Sequence, residues 1–136
     1  MDGVGSVQTA LKAESMIIAM INEVLFKEMI EKAALEEQTD CLILIEEETL
    51  MAAFQEGTPS VLFVDIGLSS LDGPSLIQRL KQNSSTRRIP IVAFGNSLRA
   101  DLMQDAKEMG ADLVLPKSAF REQLPGLIRH YDKHHE

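Results

Sequence analysis

The chain has 136 residues, 45% of them apolar, 25% charged and 4% aromatic, which suits one compact domain with a single core. Thirteen basic against 21 acidic residues leave a formal charge of −8, a balance that repels nucleic acid and anionic membrane surfaces and argues against both as partners. The lone Cys41 excludes an intrachain disulfide or multi-cysteine zinc site, no apolar run approaches the roughly 20 residues of a membrane span, and the N-terminus lacks a secretory-signal layout, so a cytoplasmic protein is expected.

The first apolar run, Met16–Ile21, is short and rich in Ile and Met, as a strand buried on both faces should be. Leu25, Phe26, Met29, Ile30 and Ala33 then recur at helical spacing, with Asn22 placed to cap that helix. Cys41–Ile45 reads as a second strand with Cys41 as a small core residue, and Leu50, Met51 and Phe54 as a second helix. Glu46–Glu48 give that helix an acidic first turn, which suits its dipole, or else supply carboxylates to the adjoining strand end. The third strand, Val61–Val64, leads through the turn at Asp72-Gly73 to a helix with Pro74 at its first position and Leu76, Ile77 and Leu80 on its apolar face. The fourth run is Ile89–Phe94, followed by the stripe Leu98, Leu102, Ala106 and Met109, which Gly110 should terminate. The fifth is Leu113–Leu115, followed by Leu124, Leu127, Ile128 and Tyr131.

Five strand-then-helix units imply a parallel sheet with helices on both faces. Residues 15–131 form this domain, residues 1–14 an N-terminal extension and residues 132–136 a frayed tail. His130, His134 and His135 read as a polar terminus rather than a metal site.

In an open sheet of this kind, ligands bind at the carboxyl ends of the strands. Asp65 ends the third strand and Lys117 follows the fifth, so a carboxylate and an ammonium can face each other across that edge. Gly95-Asn96-Ser97 follows the fourth strand, without the glycine-rich run of a phosphate-cradling loop.

The run Asp65-Ile-Gly-Leu68-Ser-Ser-Leu71-Asp72-Gly73 resembles the phospho-acceptor segment of response-regulator receiver domains, and Gly110-Ala-Asp112-Leu-Val-Leu-Pro-Lys117 resembles the segment leading to that family's lysine. Pro90–Phe94 resembles its fourth strand. The resemblance covers about Ser15 to Tyr131 and implies a flavodoxin-like (βα)5 doubly wound parallel sheet with strand order 2-1-3-4-5. It also implies Asp65 as the phosphoryl acceptor, Lys117 as its ion-pair partner, and Asn22, Asp65 and the Gly67 carbonyl as the Mg2+ ligands.

Several positions depart from that pattern. Ile21 and Asn22 stand where the family has two acidic residues, leaving one protein carboxylate where Mg2+ prefers more. Glu23 is one position off, although it or Glu46 offers a rescuing carboxylate. Gly95 replaces the hydroxyl residue that ligates the phosphoryl group, with Ser97 two positions away, and Val114 replaces the switch aromatic. Ser118 replaces a common proline. Without crowded carboxylates, Asp65 should titrate near an ordinary aspartate, and it should pair directly with Lys117.

These departures favour a pseudo-receiver that acts by protein–protein association with weakened or lost Mg2+-dependent phosphorylation. The alternative is a working single-domain response regulator phosphorylated on Asp65 by a histidine kinase. As the sequence stops after the fifth helix, the expected output is association with a histidine kinase, a downstream signalling protein or a second copy, not DNA binding. By family analogy the contact face includes Leu98, Arg99, Leu102, Gln104, Ala106, Lys107, Phe120 and Arg121. No enzyme is expected. Gly67 occupies the place where an aspartate-nucleophile phosphatase needs a second acid, and nucleophile-elbow, Walker and dinucleotide fingerprints are absent.

Overall fold

Branched and aromatic residues in runs of four or five form the strands, and the turn residues between them fix where each helix begins. In the computed structural model, which describes residues 16–132, the strands are β1 Met16–Met20, β2 Asp40–Leu44, β3 Val61–Asp65, β4 Ile91–Gly95 and β5 Leu113–Pro116. The helices are α1 Val24–Glu36, α2 Glu47–Glu56, α3 Gly73–Gln82, α4 Ala100–Glu108 and α5 Lys117–Tyr131. The sheet is parallel throughout, in the order β2-β1-β3-β4-β5, as expected. Among the described residues no helix is long and apolar enough to cross a membrane. The N-terminal extension 1–14 and the tail histidines His134 and His135 lie outside the described residues.

Alternation along the strands divides the core in two. Ile17, Ala19, Phe63, Val92 and Phe94 face α1 and α5, where they meet Ile30, Phe120, Leu124 and Ile128. Ile18, Met20, Leu62, Val64 and Ile91 face the other way, onto Leu50, Leu76, Ile77 and Ala106. The central strands β1, β3 and β4 are buried almost end to end, whereas the edge strands β2 and β5 are half-buried. Burial on both faces therefore holds for the inner three strands only, because an edge strand has one neighbour.

Two helix ends correct or sharpen the sequence reading. Asn22 does not cap α1. Glu23 occupies the N-cap position, its carbonyl accepting from the Lys27 N–H at 2.9 Å and its side chain turned to another partner. Asp72 is more than a turn residue, since its carboxylate accepts the Ser75 N–H at 3.1 Å and caps α3, with Pro74 in the first turn. Gly110 ends α4 as expected, with φ +115° and with its own N–H and that of Ala111 donating back to Lys107 and Ala106 at 3.1 Å each.

Candidate functional site

The carboxyl ends of β1, β3, β4 and β5 deliver Ile21, Asp65, Gly95 and Lys117 to one edge. Asp65 is 6% exposed, and its Oδ1 accepts the Gly67 N–H at 2.9 Å, while its carbonyl accepts the Leu68 N–H at 3.0 Å. Asp65 is thus the first residue of a self-bonded turn. Burial pushes its carboxyl above the ordinary aspartate value. The Gly67 N–H and the nearby Lys117 charge pull the other way, and Glu23 adds a smaller upward push. This corrects the expectation of an ordinary value, because desolvation raises a carboxyl even where few other acids crowd it.

Lys117 opens α5 and does not pair with Asp65. Its Nζ donates to Glu23 Oε1 at 2.7 Å and lies 5.6 Å from the centre of the Phe26 ring. The reason is geometric. Glu23 is exposed where α1 begins, and the lysine ammonium reaches it there. Asp65 sits deeper, with one oxygen already satisfied by Gly67. Lys117 acts on it through space rather than by contact.

Of the implied metal ligands, Asn22 and Gly67 are exposed beside the buried Asp65. Among the described residues, no three His, Cys, Asp or Glu side chains converge as a metal site. Ile21 is buried in the core shared by α1 and α5. Val114 is half-buried against the opposite core cluster. Gly95 is buried, and a β-carbon there would stand 2.8 Å from Ile66 Cγ1. Ser97 is exposed on the loop beyond.

The proposed contact face separates into surface and core. Leu98 is 87% exposed, and Arg99, Gln104, Lys107 and Arg121 are exposed as well, Arg99 engaged with Asp101 at 3.1 Å and Gln104 with Glu108 at 3.1 Å. Leu102 is half-buried. Phe120 and Ala106 are fully buried and cannot meet a partner. Phe120 stacks on Phe94 with ring centres 4.0 Å apart and meets Phe63 edge-on at 5.1 Å. Placement by analogy put it on the surface, but its position one turn into α5 turns it toward the sheet.

Three relationships escaped the sequence reading. Glu23 takes the lysine, Ile66 fills the space beside Gly95, and Asp112 Oδ2 accepts both the Ile91 N–H at 2.7 Å and Lys81 Nζ at 2.9 Å. Glu23 was visible as a carboxylate one place off the expected register. The other two depend on contacts between separate units, for which the sequence carries no local signal.

The chain matches the model of the response regulator receiver domain over residues 14–129. It is similar to Protein PilG of Pseudomonas aeruginosa, 29% identical over 92 residues that make up 66% of this chain and 67% of PilG. Its fold is similar to the Mn2+-bound form of response regulator Rcp1, with TM-score 0.74 and 18% identity over 88% of this chain and 96% of that one. It is also similar to the receiver domain of sensor histidine kinase PA1611 from Pseudomonas aeruginosa, which has a magnesium ion coordinated in its active-site cleft. There the TM-score is 0.73 and the identity 16%, over 86% of this chain and 96% of that one.

Proposed function

The chain belongs to the response regulator receiver domain family of two-component signalling, and we propose that within it this protein is a pseudo-receiver that signals by docking a protein partner. It would do so in the cytoplasm, with no enzymatic turnover, no nucleic-acid ligand, and only a weak or lost Mg2+ site. The observation that carries this reading is the Lys117–Glu23 pair at 2.7 Å. The extra carboxylate at the cleft mouth is neutralised by the chain's own ammonium, so it is not free for a cation. The remaining donors are Asp65, with one oxygen held by Gly67, and the polar groups of Asn22 and Gly67. Mg2+ wants near-octahedral oxygen ligation anchored by carboxylates, and this set does not fit it well.

In this reading Asp65 and Lys117 keep the family's positions while the responding parts, at 21, 95 and 114, are changed. The exposed residues Leu98, Arg99, Lys107 and Arg121 would form the docking face for a histidine kinase or downstream signalling protein, or for a second copy. Residues 15–131 would make up the receiver unit and 1–14 an extension to it. A working regulator phosphorylated on Asp65 remains the second reading, favoured by the intact Asp65 turn. Phosphorylation would add about 1.5–2 negative charges there.

An amide NMR titration with Mg2+ and then beryllofluoride, an acyl-phosphate mimic, separates the two. The pseudo-receiver reading expects an unchanged spectrum at millimolar concentrations of both. Shifts at Asn22, Asp65 and Lys117 that spread into α4 would establish the working switch instead.

A further inference from the structure

Four exposed side chains form a ridge along α1: Leu25, Glu28, Lys32 and Leu35, the two leucines being 73% and 77% exposed. Their spacing of three, four and three residues keeps them within an arc of about 80° on a helix of about 3.6 residues per turn. That is the pattern of a helix that packs against another helix. Single exposed leucines are ordinary on a protein surface, but here two of them bracket an acid and a base. The acids that frame the helix, Glu23 and Glu37, are taken by Lys117 and Arg129, each at 2.7 Å. Glu28 and Lys32 have no ionic partner among the described residues. A groove of about 340 Å3 lies along the first half of the ridge, lined by Leu25, Phe26 and Met29 of α1 and by Arg121 of α5.

We infer that this ridge is a self-association surface whose occupant is α1 of a second copy, packed antiparallel about a twofold axis at the level of Ile30. In a twofold contact, residue i of one copy meets j of the other, and j meets i. Reversal about Ile30 exchanges Leu25 with Leu35 and Glu28 with Lys32. Each leucine then meets a leucine and each acid meets a base. Parallel pairing would instead set Glu28 against Glu28 and Lys32 against Lys32. In the antiparallel arrangement Leu35 of the second copy falls opposite Leu25, at the groove. The charge of −8 on each chain opposes any association of two copies, so a surface that brings them together must be locally complementary, and this ridge is neutral. α1 and α5 lie across the sheet from α4, which leaves the Leu98 side for a different protein. The inference therefore goes beyond the docking reading and does not depend on it.

The test is sedimentation equilibrium on the full chain. A contact made by one helix is smaller than a standard interface, so a weak dimer is expected, with Kd on the order of 0.1 mM. Leu35→Asp should abolish it. Glu28→Lys and Lys32→Glu should each weaken it about tenfold, because each sets like charges opposite one another. The double variant Glu28→Lys/Lys32→Glu should regain the unmodified affinity. An equimolar mixture of the two single variants should form a heterodimer as tight as the unmodified dimer, which no folding defect can imitate. All four side chains are exposed, so melting curves should coincide. A chain monomeric at every concentration, a dimer indifferent to Leu35→Asp, or single variants that stay apart on mixing would each overturn the inference. Binding of a histidine kinase's helical domain, weakened by the same variants while the chain stays monomeric, would assign the ridge to that partner and overturn it as well. No arm involves Mg2+ or beryllofluoride, so failure here is distinct from failure of the pseudo-receiver reading.

Discussion

Asp65 combines a polar duty with a buried position, and its titration follows from that conflict. Its folded-state value lies above the ordinary one, with burial as the leading cause. Stability from this group is therefore fully present below the unfolded value and is lost as pH rises through the folded value. Asp65→Asn keeps an acceptor for the Gly67 N–H and removes the buried charge. It should melt at a higher temperature than the unmodified chain at pH 7, with the gain disappearing as pH falls below the ordinary aspartate range. A lower Tm at pH 7 would show that the carboxylate is net stabilising. Cys41, half-buried on β2, has its thiol pushed up to about 12, first by burial and then by the negative Glu31. At pH 8 its labelling by a disulfide reagent should be about a thousandfold slower in the folded protein than in denaturant, since the thiolate is the reacting form. Comparable rates would mean that the edge strand opens readily.

At the scale of elements, the helices are held by what they bury against the sheet. α5 continues through Pro125, which removes one backbone donor from its interior. Its attachment rests on Phe120, Leu124 and Ile128, with Phe120 at the centre of a stack that joins Phe26, Phe94 and Phe63. Phe120→Ala should cost about 3–5 kcal/mol in denaturant unfolding, the range for deleting a buried aromatic. A loss under 1 kcal/mol would contradict this placement. Much of this layer was legible beforehand. The apolar runs name the strands to within one or two residues, whereas the stripes mark helix faces rather than ends, α5 beginning at Lys117, seven residues before Leu124; Gly110, with its left-handed φ, announces the end of α4. The cap of α1 was not legible, because Asn22 is the better capping residue by type. Glu23 takes the cap position as its carboxylate reaches Lys117, 94 residues away in the chain.

For the whole molecule, the parallel sheet collects four strand ends at one edge and leaves the loop after β4 projecting from it. Leu98, at 87% exposure, packs on little within the monomer. Leu98→Ser should therefore change folding stability by less than about 0.5 kcal/mol, which makes it a clean probe of the proposed docking face. A large loss of stability would show that this side chain is covered within the fold. The acidic balance of the chain, −8 overall, sets its long-range field but not which surface a partner reads.

Periodicity, strand spacing and the Asp65 and Lys117 segments determined the architecture and the strand ends that form the site. Those features are local, written in the alternation of apolar and polar residues and in turn chemistry that neighbours along the chain enforce. The ionic partner of Lys117, the burial of Phe120 and the Ile66 side chain beside Gly95 were decided only by the tertiary structure. Each joins residues from separate units, and its outcome turns on distances of a few tenths of an ångström that no spacing along the chain encodes.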